Sequence, residues 1–218
     1  MTNINTKSYW NNRFASGDWE QKKGRNQTEQ FAISQIPILN ISKEFSGTIL
    51  DFGCGLGDAF PIYKKAYPKA KLMGLDISEA AIKKCKEEYG HLAEFIVGDY
   101  TEIPSVDIII ASNVFEHLSE DKLIAKHLMT KCRELNIIVP YQERLFPDNE
   151  HINTYNKDSF NNVGQNQYKI FTSKAWGNHG IKFIIQLYFK NLLRLFLGRK
   201  LAKRQKQILF KISPVTVK

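Results

Sequence analysis

Between residues 48 and 140 the chain alternates between two kinds of segment, and this alternation restricts its fold more than any other feature. Five short apolar runs stand out: TILDF (48–52), KLMGLD (71–76), EFIVGD (94–99), VDIIIAS (106–112) and LNIIVP (135–140). Each is continuous, rich in β-branched residues and bounded by Gly, Pro or Asp, as strands covered on both faces are. Between them DAFPIYKKAY, SEAAIKKCKEEYG and SEDKLIAKHLMTKC read as helices. Ser78 is placed to cap one helix and Gly90 to follow its end. Ser119, before Glu120 and Asp121, opens another, with acids at the positive end of its dipole. Pro61 sits in a first turn, where its missing N–H costs little. Strand–helix alternation predicts βαβ units: an α/β fold with a mostly parallel sheet between helices.

The flanks are less regular. Residues 1–47 read as an N-terminal helical cap, 48–189 as the core and 190–218 as a basic C-terminal tail. The stretch 141–165 is polar and turn-rich, longer than ordinary connections, and loops of that length are usually functional or disordered. NQYKIF (166–171) reads as a further strand. Residues 181–197, IKFIIQLYFKNLLRLFL, read either as strand then helix or as helix throughout. Hydrophobic content of 43% and charged content of 24% suit a globular chain. No apolar h-region opens the sequence and no run reaches the ~18 residues of a membrane span. Three cysteines without metal spacing read as free thiols, so a cytoplasmic location is expected, with no metal.

Charge is unevenly spread. Ten of the 31 basic residues fall between Ile181 and Lys218, which holds no Asp or Glu, leaving 21 basic against 22 acidic residues in 1–180. A nucleic-acid groove across the body is therefore not expected.

The turn Asp51-Phe52-Gly53-Cys54-Gly55-Leu56-Gly57 follows a strand and opens a helix. Glycines there permit a tight turn and let a ligand lie against bare backbone; a turn without a ligand is the plainer alternative. Dinucleotide loops use G-x-G-x-x-G to seat a pyrophosphate. Here the spacing is G-x-G-x-G, with an acid two residues before the first glycine, which disfavours phosphate and favours a cationic ligand. S-adenosylmethionine, with an ammonium and a sulfonium and no phosphate, is such a ligand.

DFGCGLG, LDIS, VGDY and SNVFEHL, taken together, resemble the successive motifs of class I S-adenosylmethionine-dependent methyltransferases over roughly residues 45–140. The resemblance implies a Rossmann-like, mostly parallel seven-stranded sheet. It implies that Gly53, Gly55 and Gly57 lie under the cofactor's methionine part, with Asp51 as acidic partner. Asp76 would take the ribose diol, since a carboxylate can accept two hydroxyl bonds. Ile77 would pack on adenine, Asp99 would accept from the adenine amino group with Tyr100 beside it, and Asn113 would touch the amino-acid end. The N-terminal YWNNRFASGDWEQKKGRNQTEQFA resembles the opening of small-molecule methyltransferases. There Arg25 and Thr28 would donate to the methionine carboxylate, and Tyr9 and Trp10 would close a lid. Surface charge and aromatic packing would explain the same residues equally well.

Methyl transfer to a hydroxyl calls for a base. His151, in Glu150-His151 of the long loop, is the first candidate and His117, in Glu116-His117, the second; an exposed loop histidine and a packed one are the alternatives. Tyr141 could line an acceptor pocket. The Asn/Asp-Pro-Pro-Tyr/Phe signature of base N-methyltransferases is absent, since Ser112-Asn113-Val114-Phe115 occupies its place. The expected acceptor is a small molecule or sugar, with surface-polysaccharide biosynthesis as the setting that analogy suggests. An RNA or protein methyltransferase recruited by the tail, a non-catalytic cofactor-binding module and a nicotinamide oxidoreductase are the rival readings. Apolar Phe183, Ile184, Leu187, Tyr188, Leu192, Leu195 and Phe196, with Lys190, Arg194, Arg199, Lys200, Lys203 and Arg204, suit either an interfacial helix on anionic lipid or the last pieces of the core.

Overall fold

In the computed structural model, residues 4–143, 145, 150–173, 175, 180–202 and 204–214 are described. Lys203 and parts of the 141–165 loop lie outside them.

The alternation folds as expected. Strands β1 (Thr48–Phe52), β2 (Lys71–Asp76), β3 (Glu94–Val97), β4 (Ile108–Ser112) and β5 (Glu134–Pro140) run parallel. With β6 (Gln165–Phe171) and β7 (Gln207–Ser213) they form one seven-stranded sheet in the order 3-2-1-4-5-7-6. Strand β7 is antiparallel to both neighbours, so β6 points the same way as the first five. Continuous apolar strands follow from two covered faces. Leu50, Ile109 and Ile137 face one core, with Ile124 and Leu128 of helix α6 (Asp121–Met129). Their neighbours Ile49, Ile108 and Ile138 face the other, against Leu39 of α3 (Gly24–Leu39), Tyr63 of α4 (Phe60–Ala66) and Ile82 of α5 (Glu79–Tyr89).

Local chemistry sets the helix ends. Ser78 Oγ accepts from Ala81 N at 3.1 Å, and Gly90 closes α5. Pro61 falls in the first turn of α4. The expected Ser119 cap is replaced by Glu120, without a side-chain bond. Three N-terminal helices, α1 (Lys7–Ala15), α2 (Asp18–Gln21) and α3, precede the sheet. Asn11 of α1 accepts from Ala80 N at 2.9 Å and so docks α1 on the start of α5.

The C-terminal division needs correction. Residues 181–197 are helical up to Phe196, within α7 (Gly180–Phe196), so a boundary at 189 would cut that helix. Gln207–Ser213, placed in the basic tail by the sequence, is a strand between β5 and β6 with Ile208, Phe210 and Ile212 fully buried. The excess of basic residues concealed it: QILFKIS alternates too little to mark a strand, and its partners are distant in sequence. Cys54, Cys85 and Cys132 are free and buried.

Candidate functional site

A cavity of about 350 Å³ opens at the carboxyl ends of the parallel strands, beneath α1 and α3. Open α/β sheets bind ligands at this edge, and the volume lies within the ligand-pocket range.

One end is built from the first two βα turns. Gly53 N and Cys54 N donate to Leu75 O at 2.7 and 3.1 Å, fastening the turn to the end of β2. Gly53 has φ of 74°, and a Cβ there would stand 2.5 Å from Val114 Cγ2. Gly55 has φ of 52°, and a Cβ there would meet the Phe14 ring at 3.4 Å, so the position presents bare backbone. Asp76, the last residue of β2, accepts from Gly55 N and Ser78 N, each at 2.9 Å, which fixes its carboxylate before any ligand arrives. Burial raises the Asp76 pKa; the backbone N–H groups of Ser78, Gly55 and Ile77 oppose the rise.

Asp51 is 6% exposed, and its carboxylate has no hydrogen-bond partner among the described residues. Burial first, and the nearby Asp76 second, push its pKa up to about 8. An acid held in that state is matched by a cationic ligand group, which would restore its charge. Two acids beside bare glycine backbone thus fit the ammonium, ribose and absent phosphate of S-adenosylmethionine.

The expected residues divide. Thr28, Asp51, Gly53, Gly55, Asp76, Ile77, Asn113, His117 and His151 line the cavity. Arg25 does not. Its Nε donates to Asp58 at 2.7 Å and its other nitrogens bond Glu88 and the Tyr89 hydroxyl, so two carboxylates hold it towards the start of α4 and the end of α5. Asp99 and Tyr100 also stand outside the wall. Asp99 accepts from Thr101 N and Oγ1 at 2.7 Å, which lowers its pKa and makes it a turn cap, while the Tyr100 ring meets His127 edge-on. Thr28 lines the wall, its hydroxyl donating to Gly24 O at 3.0 Å. Asn113 has a positive φ of 56° and accepts from Gln207 Nε2 at 2.9 Å, so β7 buttresses the site.

The other end gathers residues far apart in sequence. Glu116 and His117 lie on the 3₁₀ turn Phe115–His117. His117 Nδ1 is 3.1 Å from the Glu150 carbonyl and His151 Nδ1 is 2.5 Å from Glu143 Oε2; the two rings meet edge-on at 4.8 Å. With each Nδ1–H donating, each Nε2 keeps its lone pair. Burial is the main influence lowering the His117 pKa, to about 3, with His151 next; His117 is therefore neutral and a poor base. For His151 burial pulls downward, but the Glu143 hydrogen bond and the Glu116, Glu143 and Glu150 carboxylates outweigh it and raise the pKa. Structure thus keeps His151 as the base candidate and demotes His117.

Three residues that sequence reading passed over complete this end. Glu116 is fully buried, neither carboxylate oxygen has a partner among the described residues, and burial pushes its pKa to about 8. Arg13, stacked between Trp10 and Trp19, pairs with Glu150, as does the Tyr9 hydroxyl, so α1 is latched to the 150–151 loop. Trp10 lines the cavity, whereas Tyr9 holds the latch. Glu143 orients His151. The E-H pair and the Arg of YWNNRF were visible in the sequence; nothing local marks Glu143.

Glu116, His117 and His151 are also the group of described residues whose spacing approaches a metal site, with ligand atoms within 4.8 Å of one another. Ligands at about 2.1 Å from one ion would stand nearer to ~3.4 Å apart, so the cluster as built suits proton handling better than ion binding.

Comparison with known proteins agrees with this geometry. Residues 49–134 match the profile of a methyltransferase domain family. A trans-aconitate 2-methyltransferase of Afipia carboxidovorans is 29% identical over 103 residues, covering 44% of this chain and 38% of that protein. A malonyl-[acyl-carrier protein] O-methyltransferase of Anoxybacillus flavithermus is 34% identical over 79 residues, covering 34% and 30%. The chain therefore spans well under half the length of these curated relatives. Among solved structures, the plantazolicin methyltransferase BpumL in complex with SAH superposes with a TM-score of 0.59 at 17% identity, covering 97% of this chain and 96% of that one. A putative methyltransferase from Haloferax volcanii, in complex with the Trm112 activator, gives 0.65 at 13%, covering 92% and 97%. At these identities the likeness establishes the fold.

Proposed function

We propose that this chain, whose residues 49–134 match a methyltransferase domain family and whose fold is that of solved methyltransferases, uses S-adenosylmethionine to methylate a hydroxyl oxygen of a small molecule or sugar. The observation that carries this reading is one cavity with two chemically distinct ends: bare glycine backbone with Asp51 and Asp76 at one, and the His151–Glu143 pair at the other. Bound S-adenosylmethionine supplies an activated methyl carbon with a good leaving group. Asp51 would hold its ammonium, Asp76 its ribose hydroxyls and Ile77 its adenine.

Alignment of acceptor and methyl is the protein's main contribution. His151 Nε2 would accept the proton that the acceptor hydroxyl gives up as its oxygen is methylated. Glu143 fixes the tautomer and stabilises the imidazolium. Glu116, buried and unpartnered, would receive a second donor from the acceptor, which suits a polyol.

The curated relatives are named for acids. A carboxylate acceptor would need a free cation, and Arg13, the lysine or arginine among the described lining residues, is already paired with Glu150. That favours a hydroxyl. A setting in surface-polysaccharide biosynthesis accords with such an acceptor.

Calorimetric titration with S-adenosylhomocysteine tests the cofactor half. We expect saturable binding that Asp76→Ala weakens by about 1–3 kcal/mol through lost charged hydrogen bonds. Unchanged affinity in that variant would reject the ribose assignment. Binding of a dinucleotide in preference to S-adenosylhomocysteine would reject the whole reading.

A further inference from the structure

We infer that α7 is a docking helix for an anionic lipid surface, placed so that the acceptor end of the cavity faces the bilayer. The sheet register carries the placement. Phe171, the end of β6, and Gln207, the start of β7, are paired neighbours, and Gln207 also pairs with Pro140 at the end of β5. Antiparallel neighbours need only a tight hairpin between them. Here residues 172–206 intervene, and they leave and re-enter the sheet at the carboxyl edge, where the cavity opens.

The return is tied to the site itself. Gln205 Nε2 donates to Glu143 at 3.0 Å and Gln207 Nε2 to Asn113 at 2.9 Å. Asn191 bonds both the N–H and the carbonyl of Ala202, at 2.7 and 3.0 Å, and Arg194 donates to Lys200 O at 2.7 Å. The inner side of α7, with half-buried Phe183, Leu187, Asn191 and Arg194, is thereby used to hold the returning chain.

Among the described residues nothing buries the outer side. Ile181, Ile185, Tyr188, Phe189, Leu192 and Phe196 recur at helical spacing and are exposed, Ile181 at 77% and Phe196 at 82%. No residue of α7 is buried. A contiguous apolar face of this kind marks an interaction surface.

Charge selects the occupant. Residues 181–218 contain ten Lys or Arg and no Asp or Glu. A second copy of the chain would oppose one strongly basic face with another. An RNA would satisfy the charge and leave the apolar arc in water. An anionic bilayer satisfies both, the arc entering the headgroup boundary and Lys182, Lys190, Arg199 and Lys200 meeting phosphates. No helix among the described residues is long and apolar enough to cross a membrane, so the mode is in-plane. Only the orientation of the acceptor end rests on the methyl-transfer reading; the docking does not.

Sedimentation of the full chain with vesicles tests it. Phosphatidylcholine vesicles would be compared with vesicles containing about one third phosphatidylglycerol, without cofactor or acceptor. We expect at least about tenfold stronger partition into the anionic vesicles, weakened by high salt. The triple variant Ile185→Glu, Phe189→Glu, Phe196→Glu should lose it while keeping its melting temperature and its affinity for S-adenosylhomocysteine. Partition no stronger than into neutral vesicles would overturn the proposal. So would intact vesicle binding in the triple variant, or a dimer that the same variant breaks while lipid binding is absent. Strong RNA binding without vesicle binding would do the same. Cofactor affinity in the same samples reports separately on the methyl-transfer reading, so the two can fail independently.

Discussion

The two ends of the cavity contrast in how they are made. The cofactor end uses residues 51–77, two consecutive strand–turn–helix units in which each functional residue lies next to the turn that aims it. The acceptor end draws on Trp10 and Arg13, on Glu116 and His117, on Glu143 with Glu150 and His151, and on Gln205 and Gln207 behind them. The first is rigid because hydrogen bonds to backbone fix it locally, as when Gly53 N binds Leu75 O and Asp76 accepts from Gly55 N. The second is held by side chains reaching across long sequence separations. On the proposed reading, local turns would fix where the cofactor rests, and tertiary contacts would select the acceptor.

That contrast can be broken most forcefully at β7. Ending the chain after Lys206 removes Ile208, Leu209, Phe210 and Ile212, all buried. Each is worth about 1.5–3 kcal/mol, against a net stability of about 5–15 kcal/mol for an ordinary domain. We expect no cooperative thermal transition in the truncated chain; a folded, cofactor-binding product would show the cofactor end to stand alone.

A sharper cut leaves the fold intact. His151→Ala should slow single-turnover methyl transfer by about 10²–10⁴-fold with cofactor affinity nearly unchanged. Glu143→Gln should move the rising limb of the pH–rate profile to lower pH, since the Glu143 hydrogen bond is the leading influence that raises the His151 pKa. Full activity in His151→Ala would remove it as the base.

At the cofactor end, pH is the probe. Asp51, pushed up to about 8 by burial, is mostly protonated at neutral pH in the free protein. A ligand ammonium favours its ionised form, so affinity for S-adenosylhomocysteine should rise by up to about tenfold per pH unit from pH 6 and level off near 8. For stability the sign is opposite. The folded pKa is raised above the ordinary 3.8, so the contribution of Asp51 is full below that value and is lost as pH rises towards 8. Asp51→Asn should flatten both curves, and a variant whose binding keeps the full slope would reject the ammonium assignment.

The smallest effect on binding is expected at Arg25. Arg25→Ala should change cofactor affinity by less than about threefold, because Asp58 and Glu88 already occupy the guanidinium. Stability should fall by about 1–3 kcal/mol, since among the described residues Asp58 keeps only the Tyr89 hydroxyl as a partner. A tenfold loss of binding in a folded variant would return Arg25 to the site.

Five strands, three intervening helices and the glycine turn were legible because each is written in adjacent residues: β-branched runs covered on both faces, Ser78 as a cap, and acid, glycine and spacing within one turn. Asp99 shows where that legibility ends. An acid after a strand can meet a ligand or cap its own turn, and only the position of Thr101 decides between them. Arg25 has the chemistry of a carboxylate donor, yet Asp58 and Glu88 reach it first. β7 escaped because a central antiparallel strand is recognised by the neighbours it finds, and these lie some 40 to 70 residues earlier.

From its sequence alone this protein was committed to a parallel α/β core and to a bare glycine turn beside two acids, since both depend on dihedral freedom, burial and charge among neighbours in the chain. Tertiary structure alone decided that Glu143 steers His151, that Arg13 latches α1 to the 150–151 loop, and that α7 shares an edge with the cavity. Those pairings join segments distant along the chain, and their energies exist only once packing has brought the partners within hydrogen-bond reach and shielded them from water.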